Sequence, residues 1–196
     1  MKNLSLVALF ALAANPVSAE ETRQLGAHEH GVGQLDIAFD GTQIAMELRA
    51  PGADIVGFEY EAQSVDDRAK VDAAVATLAR PLDLFSLPSA AGCSVVQASA
   101  SLESEEEHES HGDAHAHEDH GDEDHADHAH EAGHTEFHAE YLVNCADPAA
   151  ASVISFAYFD TFPNALELEV QVISDKGATA FEVERDAPTL DLRGMF

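Results

Sequence analysis

The 196-residue chain has no Trp, two Cys and three Met, and its nine Lys and Arg face 37 Asp and Glu, a formal net charge of −28 with His neutral. Nine bases scattered along a chain cannot form the clustered positive patch that phosphate recognition needs, which excludes most nucleic-acid roles and makes DNA, RNA and anionic lipid poor partners. No apolar run approaches the ~20 residues that span a bilayer. The N-terminal one, Leu4 to Ala14, follows Lys2 and precedes Val17-Ser18-Ala19, the small-residue pattern of a signal-peptidase site. Cleavage is expected after Ala19, making 1–19 a signal peptide and leaving an exported chain with no membrane insertion. Between Glu103 and Thr135 there is no Val, Ile, Leu, Phe, Tyr or Met. Such a stretch cannot bury enough apolar surface to offset the entropy of ordering, so it is expected to be disordered without ligand.

What the chain does contain is His. Ten of its twelve histidines fall in one tract: His108, His111, His115, His117, His120, His125, His128, His130, His134 and His138. Asp and Glu separate them, and Lys and Arg are absent throughout. Neutral imidazole is the commonest zinc ligand and also suits Ni2+ and Cu2+, while the carboxylates add hard ligands and negative charge. The lack of Cys and Met in the tract argues against Cu(I). Repeated H-x-H, H-x-x-H and H-x-x-x-H spacings permit many interchangeable ligand sets, so the tract points to several zinc ions rather than one fixed geometry. His130-Glu131-Ala132-Gly133-His134 matches H-E-x-x-H, in which zinc-bound His pairs flank a general base. That mechanism needs a rigid helix, which this stretch with Gly133 and no apolar face does not support. No G-x-S-x-G, P-loop or dinucleotide fingerprint occurs elsewhere, and no catalytic residue is expected.

Around the tract the pattern is β, in two parts, 20–102 and 136–196, flanking the metal-binding loop 103–135. Leu35, Ile37 and Phe39 alternate with polar or small residues, Asp40-Gly41 turns the chain, and Ile44, Met46 and Leu48 resume the alternation. Leu166 to Val172, Asp175-Lys176-Gly177 and Phe181 to Val183 repeat the signal. Ser64 with Asp67 caps a helix over 64–80 whose inner face carries Val71, Val75 and Leu78 and which Pro81 stops. The chain therefore reads as mainly β, an antiparallel sheet or sandwich of about seven strands with one helix.

The two cysteines of an exported chain favour a disulfide over a pair of thiolate ligands. Pairing Cys93 to Leu102 antiparallel with Glu136 to Cys145 sets Cys93 opposite Cys145, Leu102 opposite Glu136 and Ala100 opposite His138, and puts the tract in a hairpin. The bridge would close a loop worth roughly 4 kcal/mol and hold the base of the insertion.

A smaller site is expected on the folded body. His28 and His30 point to one side of an extended chain, and a third ligand is expected from His138, Glu136 or Glu140.

His28-Glu29-His30-Gly31 followed by Gly33, Leu35 and Ile37; Ala50-Pro51; Val56-Gly57-Phe58-Glu59; the two Cys around a His-rich acidic tract; and Phe159 with Phe162-Pro163 together resemble the ZrgA family of periplasmic zinc-uptake proteins. The resemblance spans nearly all of the mature chain. It implies zinc binding in the periplasm and assistance to a zinc ABC importer, through its solute-binding protein or its permease, with no enzymatic activity. The family pattern often places His after Gly-Phe-Glu, where this chain has Tyr60. The mature chain is short for a bilobal receptor, so an accessory role is expected. The alternative from the same residues is a buffer or detoxification protein for zinc, nickel or copper.

Overall fold

The computed structural model describes residues 29–104 and 134–195. The expected signal peptide, His28 and the tract residues His108, His111, His115, His117, His120, His125, His128 and His130 lie outside them. Among the described residues nine strands, β1 (Val32–Asp40), β2 (Gln43–Pro51), β3 (Phe85–Ser86), β4 (Cys93–Ser104), β5 (Thr135–Cys145), β6 (Val153–Phe156), β7 (Glu167–Ser174), β8 (Gly177–Glu184) and β9 (Thr189–Asp191), form two sheets, one of six in the order β4-β5-β2-β1-β7-β8 and one of three in the order β3-β6-β9.

The expected hairpins form where alternation and turn residues coincide. Strand β1 (Val32–Asp40) pairs antiparallel with β2 (Gln43–Pro51) across Gly41, and β7 (Glu167–Ser174) with β8 (Gly177–Glu184). The inward set Leu35, Ile37, Ile44, Met46, Leu48, Leu168, Val170 and Val172 is almost wholly buried. Burial of each large member contributes roughly 1.5–3 kcal/mol.

The sheet departs from an all-antiparallel one at its centre, where β1 and β7 run parallel. Between β2 and β7 the chain crosses the inner face of the sheet. Its described residues form four α-helices on the way, α1 (Gly52–Ile55), α2 (Val65–Leu78), α3 (Pro81–Leu84) and α4 (Tyr158–Thr161), and the short strands β3 (Phe85–Ser86) and β6 (Val153–Phe156). With β9 (Thr189–Asp191) these cover the inward apolar set, and Phe85, the centre of the layer, packs against Tyr141, Phe156 and Tyr158. Ser64 caps α2 by accepting the Asp67 N–H at 2.9 Å. Leu78 and Ala74 are buried beneath that helix, with Val71 and Val75 partly so.

Strand β4 (Cys93–Ser104) pairs with β5 (Thr135–Cys145), and Cys93 is disulfide-bonded to Cys145. Beyond Val95 the register differs from the expected one by a residue. A bulge between Val95 and Gln97 adds a residue to β4, so Leu102 faces Phe137 instead of Glu136, and Ser101 instead of Ala100 faces His138. The bridge also sits at the far end of the hairpin from Ser104 and Thr135, where the chain leaves for the tract, roughly 35 Å away by strand rise. It ties down the closed end of the ladder rather than the base of the insertion.

Candidate metal site

Three segments converge at the Thr135 end of the sheet. The chain enters β1 through His30 and Gly31, and enters β5 through His134. Between them, β2 runs into the single turn α1 and then through Gly57 and Phe58 to Glu59. Two glycines make this convergence possible. Gly31 has φ +91°, and a Cβ there would lie 2.9 Å from the Leu166 side chain. At Gly52 a Cβ would lie 2.5 Å from Thr135 Oγ1 and 2.6 Å from the Phe58 carbonyl oxygen. Gly52 is therefore the contact point between the residue after His134 and the residue before Glu59.

Glu59 is the hub. Its Oε2 lies 2.8 Å from His134 Nδ1 and its Oε1 lies 3.1 Å from His30 Nε2. The carboxylate is 13% exposed, and the imidazoles of His30 and His134 are 67% and 57% exposed. A half-buried anion is thus flanked by two rings that water and ions can reach. Burial alone would raise the Glu59 pKa, but the contacts from His134 and then His30 outweigh it and hold the carboxyl below its ordinary value.

Beneath the hub lies a second carboxylate, Asp54, which is 2% exposed. Its Oδ1 accepts the Gly31 N–H at 2.8 Å. Burial raises its pKa, with the Gly31 hydrogen bond and the His30 charge opposing and the Glu59 charge adding to the rise. Among the described residues, five buried side-chain polar atoms have no hydrogen-bond partner, and three of them are Asp54 Oδ2, Glu59 Oε1 and Thr135 Oγ1. For Glu59 Oε1 the His30 nitrogen is near but not aligned for a hydrogen bond.

Among the described residues, no three His, Cys, Asp or Glu side chains stand together closely enough to hold a metal ion. The two imidazoles grip opposite oxygens of one carboxylate instead. Their N···O separations are nonetheless close to the ~3.3 Å between two ligands on one tetrahedral zinc with bonds near 2.0–2.1 Å. Two imidazoles and a carboxylate are also a borderline-hard donor set that suits zinc.

His138, Glu136 and Glu140 do not join His30. The register carries His138 to the middle of the outer face, opposite Arg49, and Glu140 opposite Glu47. His138 Nε2 lies 2.5 Å from Glu136 and 3.8 Å from Glu103. His134, the last residue of the H-E-x-x-H match, is not helical; it is the extended lead into β5. A hollow of about 370 Å3 on the outer face, over Asp36, Glu47 and Glu140, contains no imidazole.

Sequence reasoning missed Glu59 and Asp54 as site residues, because two carboxylates among 37 carry no signal of their own. The one available hint was position: Glu59 follows a Gly-Phe turn, and His134 closes a tract otherwise crowded with acids. Tyr60, at the position where the family pattern often has His, turns away to stack on Phe58 at 4.7 Å and is 49% exposed.

No curated protein matches the chain. A family profile described as "ZrgA family zinc uptake protein" matches residues 27–192, which takes in both halves of the sheet, His28, His30, Glu59, the whole tract and the disulfide. With the motifs and this match in agreement, the chain belongs to the ZrgA family of zinc uptake proteins.

Proposed function

We propose that this protein captures zinc in the periplasm and assists high-affinity uptake by an ABC importer. The observation that carries the reading is Glu59 held between His30 and His134. His134 belongs by sequence to the tract and by position to the folded body, so one residue connects the two. The tract supplies many weak ligands at high local concentration, which raises the chance that an ion released by one set is taken by the next. The half-buried Glu59 carboxylate with two exposed imidazoles is the more selective station beside it. His30, Glu59 and His134 would be the side chains that hold zinc there, as two imidazoles and a carboxylate.

Metal must displace protons from imidazole nitrogens, so binding weakens as pH falls through the imidazole range. Full zinc occupancy retained at pH 5 would count against ligation by histidine. The direct test is zinc calorimetry of the full chain beside His30→Ala and Glu59→Gln. Each variant is expected to lose one tight equivalent while the weaker tract equivalents persist; unchanged binding in both removes the folded body from the reading. Growth of a strain lacking the protein decides between uptake and buffering. A defect under zinc starvation supports uptake, whereas sensitivity confined to excess metal replaces it with a buffer.

A further inference from the structure

Asp54 is arranged in a way that a purely structural role does not explain. One oxygen, Oδ1, fixes the backbone of Gly31 and with it the approach of His30. The other, Oδ2, is buried with no hydrogen-bond partner among the described residues. A buried carboxylate oxygen left unpaired is costly, and folded proteins keep one where water, an ion or a function satisfies it. Among the described residues neither Asp54 nor Glu59 is paired to a Lys or Arg; the ion-pair partners of Glu59 are the two imidazoles. Two carboxylates therefore meet here with two imidazoles and, among the described residues, with no Lys or Arg ion pair beside them.

We propose that Asp54 is the second carboxylate of the cation site, with Oδ1 positioning His30 through Gly31 and Oδ2 kept in reserve for a divalent cation or a water bound to it. This rests on the His30, Glu59 and His134 reading and deepens it toward selectivity. A divalent ion matches the formal charge of the two carboxylates, whereas Cu(I) matches only one of them. The site thus discriminates between ions by charge as well as by ligand type.

Asp54→Asn in the full chain is the test, because Asn keeps an oxygen for the Gly31 N–H and removes the charge. Competition with a chromogenic chelator is expected to show the tight zinc equivalent weakened 10- to 100-fold, the range found for residues that support metal ligands. The tract equivalents should be unchanged, and the metal-free variant at least as stable to urea as the parent, since a buried charge has gone. Cu(I), supplied anaerobically as its acetonitrile complex, should weaken much less. An unchanged tight zinc equivalent overturns the role of Asp54 alone. Equal losses for zinc and Cu(I), or lower stability of the metal-free variant, overturn it in favour of a structural one. If the parent has no equivalent sensitive to His30→Ala, the underlying site falls and this inference with it.

Discussion

The two ends of strand β5 are built on opposite terms. At Cys145 the strand is covalently tied to β4, its side chains are buried among Val143 and the inner layer, and Cys145 N–H donates to the Thr42 carbonyl at 2.8 Å. At Thr135 the same strand lies beside polar groups instead: its own unpaired hydroxyl, the buried Asp54 with one oxygen unpaired, and Glu59 flanked by two exposed imidazoles. One end is assembled to persist and the other to receive. A single strand joins them, so the stability gathered at the first can hold the second in an arrangement that would be unfavourable on its own.

Breaking the closed end should have the largest effect. Replacing both Cys93 and Cys145 by Ala is expected to cost about 4 kcal/mol in urea unfolding, from the loop of 52 residues that the bridge closes. Zinc affinity of the still-folded protein should change little; a parallel loss would mean the ends are not separable.

Next comes Gly52→Ala, which presses on Thr135 and the Phe58 carbonyl together. It is expected to cost about 2 kcal/mol, within the range for overpacking a tight contact. It should also remove the tight zinc equivalent by moving the residues beside His134 and Glu59, and calorimetry would show that loss.

A subtler perturbation is Glu59→Gln, followed by metal-free stability as a function of pH. The Glu59 carboxyl is held below its ordinary value in the folded state. Its contribution is therefore complete above the ordinary carboxylate range and lost as pH falls through the depressed value. The variant should lack that portion of the acid limb, and coincident curves would show that the imidazole contacts are energetically neutral.

Smallest of all, Ser64→Ala should cost about 1 kcal/mol by uncapping α2. It touches neither end of β5, so both the zinc titration and the pH profile should be those of the parent.

Much of the sheet was legible because its signals are local. Alternation in Leu35 to Leu48, the turn at Gly41 and the box at Ser64 and Asp67 each involve residues a few positions apart. The partnership of Cys93 and Cys145 was legible because they are the only two. The bulge after Val95 was not, since an inserted residue changes neither composition nor alternation enough to be seen. The sheet β3-β6-β9 was hidden by the shortness of its strands, two to four residues each. At the candidate site the histidines announced themselves by rarity. Glu59 meets His134 across 75 positions and Asp54 meets Gly31 across 23, and no periodicity reports such distances.

The parallel pairing of β1 with β7 has a consequence for how the molecule comes into being. Strand β1 finds β2 within its first neighbours in the chain, but its other edge is closed only by residues from Glu167 onward. Contacts between such remote segments slow folding, because the intervening chain must be brought together first. A polypeptide delivered N-terminus first therefore emerges with its central strand half clothed, Leu35 and Ile37 still in reach of solvent. It can complete its core only after nearly every residue has arrived. For this protein, completing the core is an event that waits for the last third of the sheet, β7 and β8, to be present.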